Sequence, residues 1–125
     1  MVDFTGFIQR EGIPMYLQIS RYIKERIADG TISDGEELPS CRMQSVYLTA
    51  SPSTIQKAYH LLRDAGLVIS RAGARSYVRV TSQQRSTLRR EMAEQYQPVI
   101  RDIKRTGLSV TETTTLLEKL YDEDN

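Results

Sequence analysis

Apolar residues at helical spacing form the first strong pattern in the chain. Its members are Tyr16, Ile19, Ile23 and Ile27. Pro14 precedes this stripe and Gly30 follows it, and proline suits the first turn of a helix as glycine suits its end. The pattern therefore predicts an amphipathic helix over residues 14–29.

A second stripe predicts a pair of helices in the middle of the chain. It consists of Ile55, Ala58, Tyr59 and Leu62, at positions i, i+3, i+4 and i+7. Ser51-Pro52 precedes it as a cap and first turn, and Ser40 is placed to cap a shorter helix that ends near Leu48. Because only residues 49–51 separate the two helices, the pattern is typical of a helix-turn-helix.

Two short strands are predicted after these helices. Residues 67–69 and 77–80 have strand composition, and the basic, glycine-containing segment 71–75 between them predicts the tip of a hairpin. Residues 31–37 are polar and predict a loop with a turn. The order of three helices and a hairpin predicts a winged helix, a mainly α fold with a small β-hairpin wing.

The remaining sequence predicts two further helices. The first covers residues 83–106, and Pro98 should kink it near residues 94–95 because proline lacks an amide N–H. One side of it carries Leu88, Met92, Tyr96, Val99 and Ile103. Ser109 and Glu112 form a capping box that starts the last helix, and residues 122–125 form an acidic tail. The last helix carries Leu116, Leu117, Leu120 and Tyr121.

Composition and charge narrow the class of protein. The chain has 125 residues, enough for one compact core and a modest extension. Cys41 is the only cysteine, and no apolar run resembles a signal peptide or a membrane span, so we expect a cytoplasmic location. The net charge is +1, with +2 on residues 1–80 and −1 on residues 81–125. Nucleic-acid binding would therefore depend on a local patch of charge.

Groups that could support catalysis are scarce. His60 is the only histidine, and the acidic residues do not cluster with it or with Cys41 in the sequence. These residues predict neither a metal site nor a nucleophile–base pair, so no enzyme activity, metal or cofactor is expected. We expect His60 at the surface. Cys41 is expected to be a small, partly buried residue, and the alternative is a redox-sensing thiol activated by Arg42.

Several ordered motifs resemble the GntR family of bacterial regulators. The helical motifs are Pro14-Met15-Tyr16-Leu17-Gln18-Ile19, Leu38-Pro39-Ser40-Cys41-Arg42 and Ser51-x-x-Thr54-Ile55-x-x-Ala58-Tyr59. The wing motifs are Leu62-x-x-Ala65-Gly66-Leu67-Val68, Arg71-x-Gly73 and Ser76-Tyr77-Val78. The resemblance covers about residues 13–80 and implies a winged helix-turn-helix that binds double-stranded DNA and regulates transcription.

The region after the wing resembles one branch of that family. Most GntR proteins have a large ligand-binding domain there, whereas 45 residues follow Val80 in this sequence. This is similar to the YtrA-type subfamily, which implies a DNA-binding domain over residues 1–80 and a dimerisation tail over residues 81–125. The resemblance further implies a repressor that binds a palindromic operator as a homodimer. The expected dimerisation residues are Leu88, Met92, Tyr96, Val99, Ile103, Leu117 and Leu120.

The helix that begins at Ser51 has a polar outward face. If its apolar stripe is buried, then Ser53, Gln56 and Lys57 point outward, and such side chains can contact base edges or phosphates. The resemblance adds Ser51, and it adds Arg42 at the start of the preceding helix. In the wing, glycine allows close approach to DNA and arginine can enter a minor groove. The full set of expected DNA contacts is Arg42, Ser51, Ser53, Thr54, Gln56, Lys57, Arg71, Gly73 and Arg75.

Three positions depart from the family pattern. Pro52 stands where many members have a basic residue, and Arg75 stands where they usually have a second glycine. Met43 replaces a common acidic residue. These differences bear on the preferred DNA sequence more than on the fold.

Each functional assignment has a structural alternative. Ser40 and Ser51 can serve only as helix caps, and the exposed cations can be ordinary surface charges. The stripe from Leu88 to Ile103 can pack on the core of its own chain or on a partner. At the level of the whole protein, the alternative is a winged-helix adaptor that binds proteins and not DNA. A small-molecule effector, bound between protomers near Tyr96 and Tyr121, is also consistent with the sequence.

Overall fold

The computed structural model describes residues 1–71, 73 and 75–123. Residues 72 and 74 of the expected wing tip and residues 124–125 of the expected acidic tail lie outside the described residues. The chain divides into two compact units, Met1–Arg90 and Glu91–Asn125. We call them unit 1 and unit 2.

The described residues form six helices and three short strands. The helices are α1 (Met15–Ala28), α2 (Cys41–Leu48), α3 (Pro52–Asp64), α4 (Ser82–Glu94), α5 (Gln97–Arg105) and α6 (Val110–Glu123). The strands are β1 (Glu37–Leu38), β2 (Val68–Arg71) and β3 (Arg75–Val78). The fold is mainly α with a small β wing, which confirms the predicted fold class. None of the helices in the described part of the chain is both long and apolar enough to cross a membrane.

The strands form one antiparallel sheet in the order β1-β3-β2. The hairpin of β2 and β3 confirms the predicted wing, although its strands begin and end at different residues from those expected. The sequence does not predict β1, which falls at the end of the polar segment after α1. A strand of two residues has no readable periodicity, and Glu37 pairs with Tyr77, forty residues later in the chain.

The core of unit 1 lies between α1 and α3. The two predicted stripes supply its fully inaccessible side chains: Ile19, Ile23, Ile27, Ile55, Ala58 and Leu62. Burying each large aliphatic side chain of this kind stabilises the fold by about 1.5–3 kcal/mol. Tyr16 is only half-buried, so the first turn of α1 lies at the edge of the core.

The segment before α1 also belongs to unit 1. Val2 and Phe4 are buried, and the Val2 amide donates to the Glu37 carbonyl at 2.9 Å. The buried Gln18 side chain accepts from the Arg10 amide and donates to the Arg10 carbonyl, both at 2.8 Å. These contacts attach the N-terminal segment to α1 and to the sheet.

The predicted long helix over residues 83–106 is wrong, because the structure has two helices, α4 and α5, in its place. Pro98 cannot donate to the Glu94 carbonyl, as a continuous helix would require. The amides of Gln95 and Tyr96 instead donate three residues back, to the carbonyls of Met92 and Ala93 at 3.3 and 3.0 Å. This tighter turn ends α4.

Unit 2 contains α5 and α6 but has no core of its own. The capping box before α6 is confirmed, because the Glu112 amide donates to Ser109 Oγ at 3.1 Å and the Ser109 amide donates to Glu112 Oε1 at 3.3 Å. None of the described residues of unit 2 is buried. Its helices are therefore stabilised locally, and their apolar side chains remain open to solvent.

Candidate nucleic-acid interface

Serine caps fix the beginnings of α2 and α3. Ser40 Oγ accepts from the Met43 amide at 3.1 Å, and Ser51 Oγ accepts from the Thr54 amide at 3.2 Å. Thr49 lies between the helices with φ +53°, a left-handed conformation that L side chains rarely adopt. This residue caps the end of α2, and three residues, 49–51, separate α2 from α3.

A buried hydrogen bond attaches α3 to the segment before α2. The Tyr59 hydroxyl donates to the Pro39 carbonyl at 2.8 Å. Burial raises the pKa of Tyr59 well above its ordinary value, so the hydroxyl stays protonated and remains a donor. This contact fixes how the two helices of the helix-turn-helix meet.

The outward face of α3 is polar and accessible. Ser53, Gln56 and Lys57 are exposed, as the sequence predicts, while Thr54 is half-buried. The Ser51 hydroxyl is 2.7 Å from Thr54 Oγ1 and 3.1 Å from Ser53 Oγ, so the three hydroxyls form a small network at the start of the helix. Ser51 therefore acts as a cap, whereas Ser53 and Gln56 are exposed and do not cap the helix.

Two further residues of α3 bear on its charge. Lys57 Nζ lies 4.0 Å from the centroid of the Tyr16 ring. His60 is exposed, as expected, and its Nε2 lies 3.3 Å from Asp64 Oδ2. Lys57 therefore lies over an aromatic ring, and His60 lies beside a carboxylate.

Arg42 occupies the first turn of α2, where it is exposed. Among the described residues it forms no ion pair, so its guanidinium is available to an external partner. The neighbouring Cys41 is half-buried, and this burial raises the pKa of its thiol despite an opposing influence from Arg63. The activated thiol considered as an alternative is therefore not supported.

The wing places two cations side by side. Arg71 on β2 pairs directly with Arg75 on β3, and both side chains are exposed. Arg71 lies over the Tyr77 ring at 5.1 Å, and Arg75 Nε is 3.9 Å from Glu37 Oε1. Gly73, between them, has φ +81° and open space around the position of a Cβ.

Two arginines of α4 have a structural role that the sequence does not predict. Arg85 donates to the carbonyls of Ile27 and Ile32, and Arg89 Nε donates to the Ala28 carbonyl at 2.7 Å. They donate to carbonyls at and after the end of α1, where the last carbonyls of a helix have no partner within the helix. The Ile27 carbonyl accepts from the Gly30 amide as well, at 3.3 Å. The helical periodicity that marks an apolar stripe carries no signal for such a contact.

The expected dimerisation residues divide between the two units. Leu88 is 8% exposed and buried within unit 1, which favours packing on its own chain. In unit 2, Tyr96, Val99, Leu117 and Leu120 are between 48% and 53% exposed. Met92 and Ile103 are half-buried. Exposed apolar neighbours that the expected set lacks are Ile100, Leu108 and Leu116.

A cavity of about 290 Å³ opens between the N-terminal segment and α1. Its polar lining includes Asp3, Thr5, Tyr22, Arg26 and Glu36, and its lining contains neither of the tyrosines considered for an effector. Within the described residues, no three His, Cys, Asp or Glu side chains come together to hold a metal ion.

The two units differ in net charge. Unit 1 has thirteen Lys and Arg against eight Asp and Glu, a net of +5, whereas unit 2 has four against eight, a net of −4. The net charge of +1 for the chain is therefore the sum of a basic unit 1 and an acidic unit 2. Unit 1 is more basic than residues 1–80 because it includes the three arginines of α4. This unit also contains every residue expected to contact DNA.

Relatives of known sequence match part of the chain. YhcF of Bacillus subtilis (strain 168), an uncharacterized HTH-type transcriptional regulator, is 28% identical over 103 residues, which are 79% of this chain and 83% of YhcF. YdeL of the same organism, also an uncharacterized HTH-type transcriptional regulator, is 38% identical over 71 residues, or 56% of this chain. The chain spans only 15% of the length of YdeL.

Solved structures match over most of the chain. A GntR family transcriptional regulator from Listeria monocytogenes has a TM-score of 0.75 and 26% identity, covering 89% of this chain and 98% of that one. YtrA from Sulfolobus acidocaldarius, a GntR-family transcription factor, has a TM-score of 0.55 and 26% identity, covering 81% of this chain and 93% of that one. The family model described as bacterial regulatory proteins, gntR family, matches residues 15–78, from the start of α1 through the wing. Since this match covers more than half of the 125 residues, the chain belongs to the GntR family of bacterial regulatory proteins.

Proposed function

We propose that this protein is a sequence-specific DNA-binding transcription regulator, which acts in the cytoplasm as a homodimer that represses transcription from a two-fold symmetric operator. Unit 1 binds DNA, and the apolar helices of unit 2 join the protomers. The proposed DNA contacts are Arg42, Ser51, Ser53, Thr54, Gln56, Lys57, Arg71, Gly73 and Arg75.

The observation that carries this proposal is the arginine pair of the wing. Arg71 and Arg75 lie directly opposite each other on adjacent strands. Like charges directly opposite each other on adjacent strands destabilise a hairpin. Glu37 is near Arg75 only, at 3.9 Å, and does not offset both charges. A DNA phosphate would bind both guanidiniums, and the positive φ of Gly73 lets the backbone approach it closely.

The helix-turn-helix supplies groups that can read bases. Gln56 can bond an adenine edge with both atoms of its amide, and Arg42 can bond guanine or phosphate. Ser53 and Thr54 lie in the first turn of α3, the part of a recognition helix that contacts base edges. Pro52 leaves this turn without a basic side chain, so discrimination would rest on hydrogen bonds more than on charge.

The proposed dimer surface consists of the apolar residues of unit 2 with Met92 at its start. Large side chains that are half exposed along two successive helices are typical of an interface that is completed by another chain. Leu88 is not part of the surface because it is already buried in unit 1. A homodimer would present two α3 helices to the two halves of a palindrome.

The adaptor alternative rested on the near-neutral net charge. A net of +5 on unit 1 weakens that support, because the charge that DNA would meet belongs to this unit. The adaptor remains as an outcome of the experiment. A small-molecule effector likewise stays a prediction.

The test is selection of DNA duplexes from a random pool with the full-length protein, followed by sequencing of the retained DNA. We expect enrichment of one two-fold symmetric site, and we expect affinity for that site to fall steeply with salt as phosphate contacts release counterions. A folded protein that enriches no site would overturn the DNA-binding proposal. Reporter transcription from a promoter containing the selected site then distinguishes repression from activation.

Arg42→Ala tests the proposed base contact on the selected site. If Arg42 reads a base, we expect a loss of about 1–3 kcal/mol and relaxed specificity at one position. Arg21→Ala is the matched control, since it removes the same charge from a guanidinium that is 2.8 Å from Glu25 on α1. Equal effects of the two substitutions would show that only overall charge matters.

A further inference from the structure

Two of the cations proposed to contact DNA lie over tyrosine rings. Lys57 Nζ is 4.0 Å from the centroid of Tyr16, and Arg71 Cζ is 5.1 Å from the centroid of Tyr77. Neither cation forms an ion pair within the part of the chain that the structure describes. Their ordered partners are therefore aromatic faces.

Cations elsewhere in the molecule have carboxylate partners at shorter distances. Arg21 Nε lies 2.8 Å from Glu25, and Arg105 Nη1 lies 2.8 Å from Asp102. Both pairs are within single helices, on residues that have no proposed DNA contact. Arg26 also lies over a ring, that of Tyr22, but it has a carboxylate partner as well, Asp29 at 3.6 Å. Among the described cations that lie over a ring, Lys57 and Arg71 are those without a carboxylate partner, and both belong to the proposed interface.

The two kinds of partner have different effects on phosphate binding. A carboxylate fixes a cation but cancels its charge and occupies its N–H groups. An aromatic face attracts the cation through its quadrupole and leaves both the net charge and the outward N–H groups available. Since a long cationic side chain loses about 1.5–2 kcal/mol of rotamer freedom when it is fixed, prior fixing by a ring reduces the cost of the later contact.

We propose that Tyr16 and Tyr77 are positioning residues, whose rings hold Lys57 and Arg71 for contact with DNA phosphates while leaving their charge intact. This inference rests on the proposed DNA-binding function. Tyr16 suits the role because it is half-buried in the first turn of α1, which packs against α3. Tyr77 lies on β3, the central strand of the sheet.

The experiment measures affinity for the selected operator over a range of salt concentrations. Tyr16→Leu should weaken binding about two- to fivefold for each protomer on the operator, the range expected from losing one exposed cation–π contact per protomer. Tyr16→Phe keeps the ring and should bind as the natural protein does. Lys57→Gln should lower the slope of log affinity against log salt by about 0.9 for each protomer, about 1.8 for the homodimer, since each protomer loses one phosphate contact. Tyr16→Leu should leave that slope unchanged.

A double-substitution cycle separates positioning from general stability. In the Lys57→Gln background, Tyr16→Leu should have no further effect on affinity. An equal loss in both backgrounds, or a Tyr16→Phe variant as weak as Tyr16→Leu, would overturn the inference. If Tyr16→Leu does not fold, Tyr16→Met serves in its place.

Tyr22→Leu provides the matched control on the same helix. The Tyr22 ring also carries a cation, Arg26 at 5.0 Å, but it stacks on Phe4 of the N-terminal segment. We expect this variant to lower the melting temperature without changing operator affinity. If the natural protein binds no operator, the proposed function fails and this inference fails with it; if it binds and Tyr16→Leu has no effect, only this inference fails.

Discussion

The two units of this chain differ in how far they bury their apolar side chains. Unit 1 buries its large side chains between α1, α3 and the sheet, and several of them are completely inaccessible. Unit 2 buries none of its described residues, and leucines of α6 such as Leu117 remain about half exposed. The units also carry net charges of opposite sign, +5 and −4.

This difference follows from how many surfaces each unit can bring together. Three helices and a sheet enclose a core, because each element covers the apolar face of another. Two short helices cannot cover each other's apolar faces completely, so unit 2 requires a further surface. We infer that unit 1 folds as a single chain, whereas unit 2 reaches its stable state only with a partner protomer.

The largest expected effect comes from placing a charge on the apolar face of unit 2. Leu117→Asp should weaken the homodimer by about 100-fold or more, because a buried unpaired carboxylate costs several kcal/mol. The melting of unit 1 should be unchanged. Light scattering across a range of protein concentrations measures the dissociation. Thr115→Asp adds the same charge beside the apolar stripe and should remain dimeric; dissociation of both variants would contradict the proposed surface.

A substitution in the core of unit 1 should lower the free energy of unfolding of that unit, whereas Leu117→Asp should weaken the dimer. Ile23→Ala removes a fully inaccessible side chain and should lower the free energy of unfolding by about 2–5 kcal/mol. Urea denaturation measures this loss. Val46→Ala, at a position that is 78% exposed, should change stability by less than about 0.5 kcal/mol. If the two variants unfold alike, unit 1 does not have the independent core described above.

Substitutions of Ser51 and Ser53 should distinguish a contribution to the stability of α3 from a contribution to DNA recognition. Ser51→Ala removes a helix cap and should cost about 1 kcal/mol of stability. Ser53→Ala should leave the melting temperature nearly unchanged and reduce operator affinity, because Ser53 is exposed and does not cap α3. Calorimetry and DNA titration on both variants check this division. A fully stable Ser51→Ala protein would rule out capping as the main role of that serine.

The smallest effect concerns the turn between α2 and α3. Thr49→Gly should stabilise unit 1 by about 0.5–1 kcal/mol, since glycine removes the steric cost of the left-handed conformation but adds freedom to the unfolded chain. Thermal unfolding measures the gain. Thr49→Ala keeps a Cβ at the same φ and should give no gain. Destabilisation by Thr49→Gly would show that the threonine side chain has a contact that offsets its backbone strain.

Much of the interface was predictable because its determinants are local. Caps such as Ser40 and Ser51 act within one helical turn, and the buried stripe of α3 leaves Ser53, Gln56 and Lys57 on the opposite face. Each of these features depends on spacing within about seven residues, which a sequence shows directly. The exposure of these three side chains is confirmed, and their contact with DNA remains a proposal.

Other features could not be predicted because their partners are distant in sequence. Lys57 meets Tyr16 across more than forty residues, and Arg89 meets the carbonyl of Ala28 across sixty-one. Neither pairing leaves a periodic signal. Pro98 predicted a kink near residues 94–95 within one long helix, whereas the structure ends α4 at Glu94 and begins α5 at Gln97. The sequence does not show the tighter turn at Gln95 and Tyr96, because that turn depends on which carbonyls those amides reach.

The sequence by itself determined α1, α2, α3 and α6, the wing hairpin, the caps and the polar face of α3, since propensity, periodicity and capping are properties of neighbouring residues. Only the tertiary structure decided which side chains are buried and which residues from distant parts of the sequence lie in contact. It buried Leu88 within unit 1, left Leu117 exposed in unit 2, and placed Arg71 opposite Arg75 in the wing. Two leucines are identical in a sequence pattern, and burial differs between them because it depends on the surfaces that packing brings within reach.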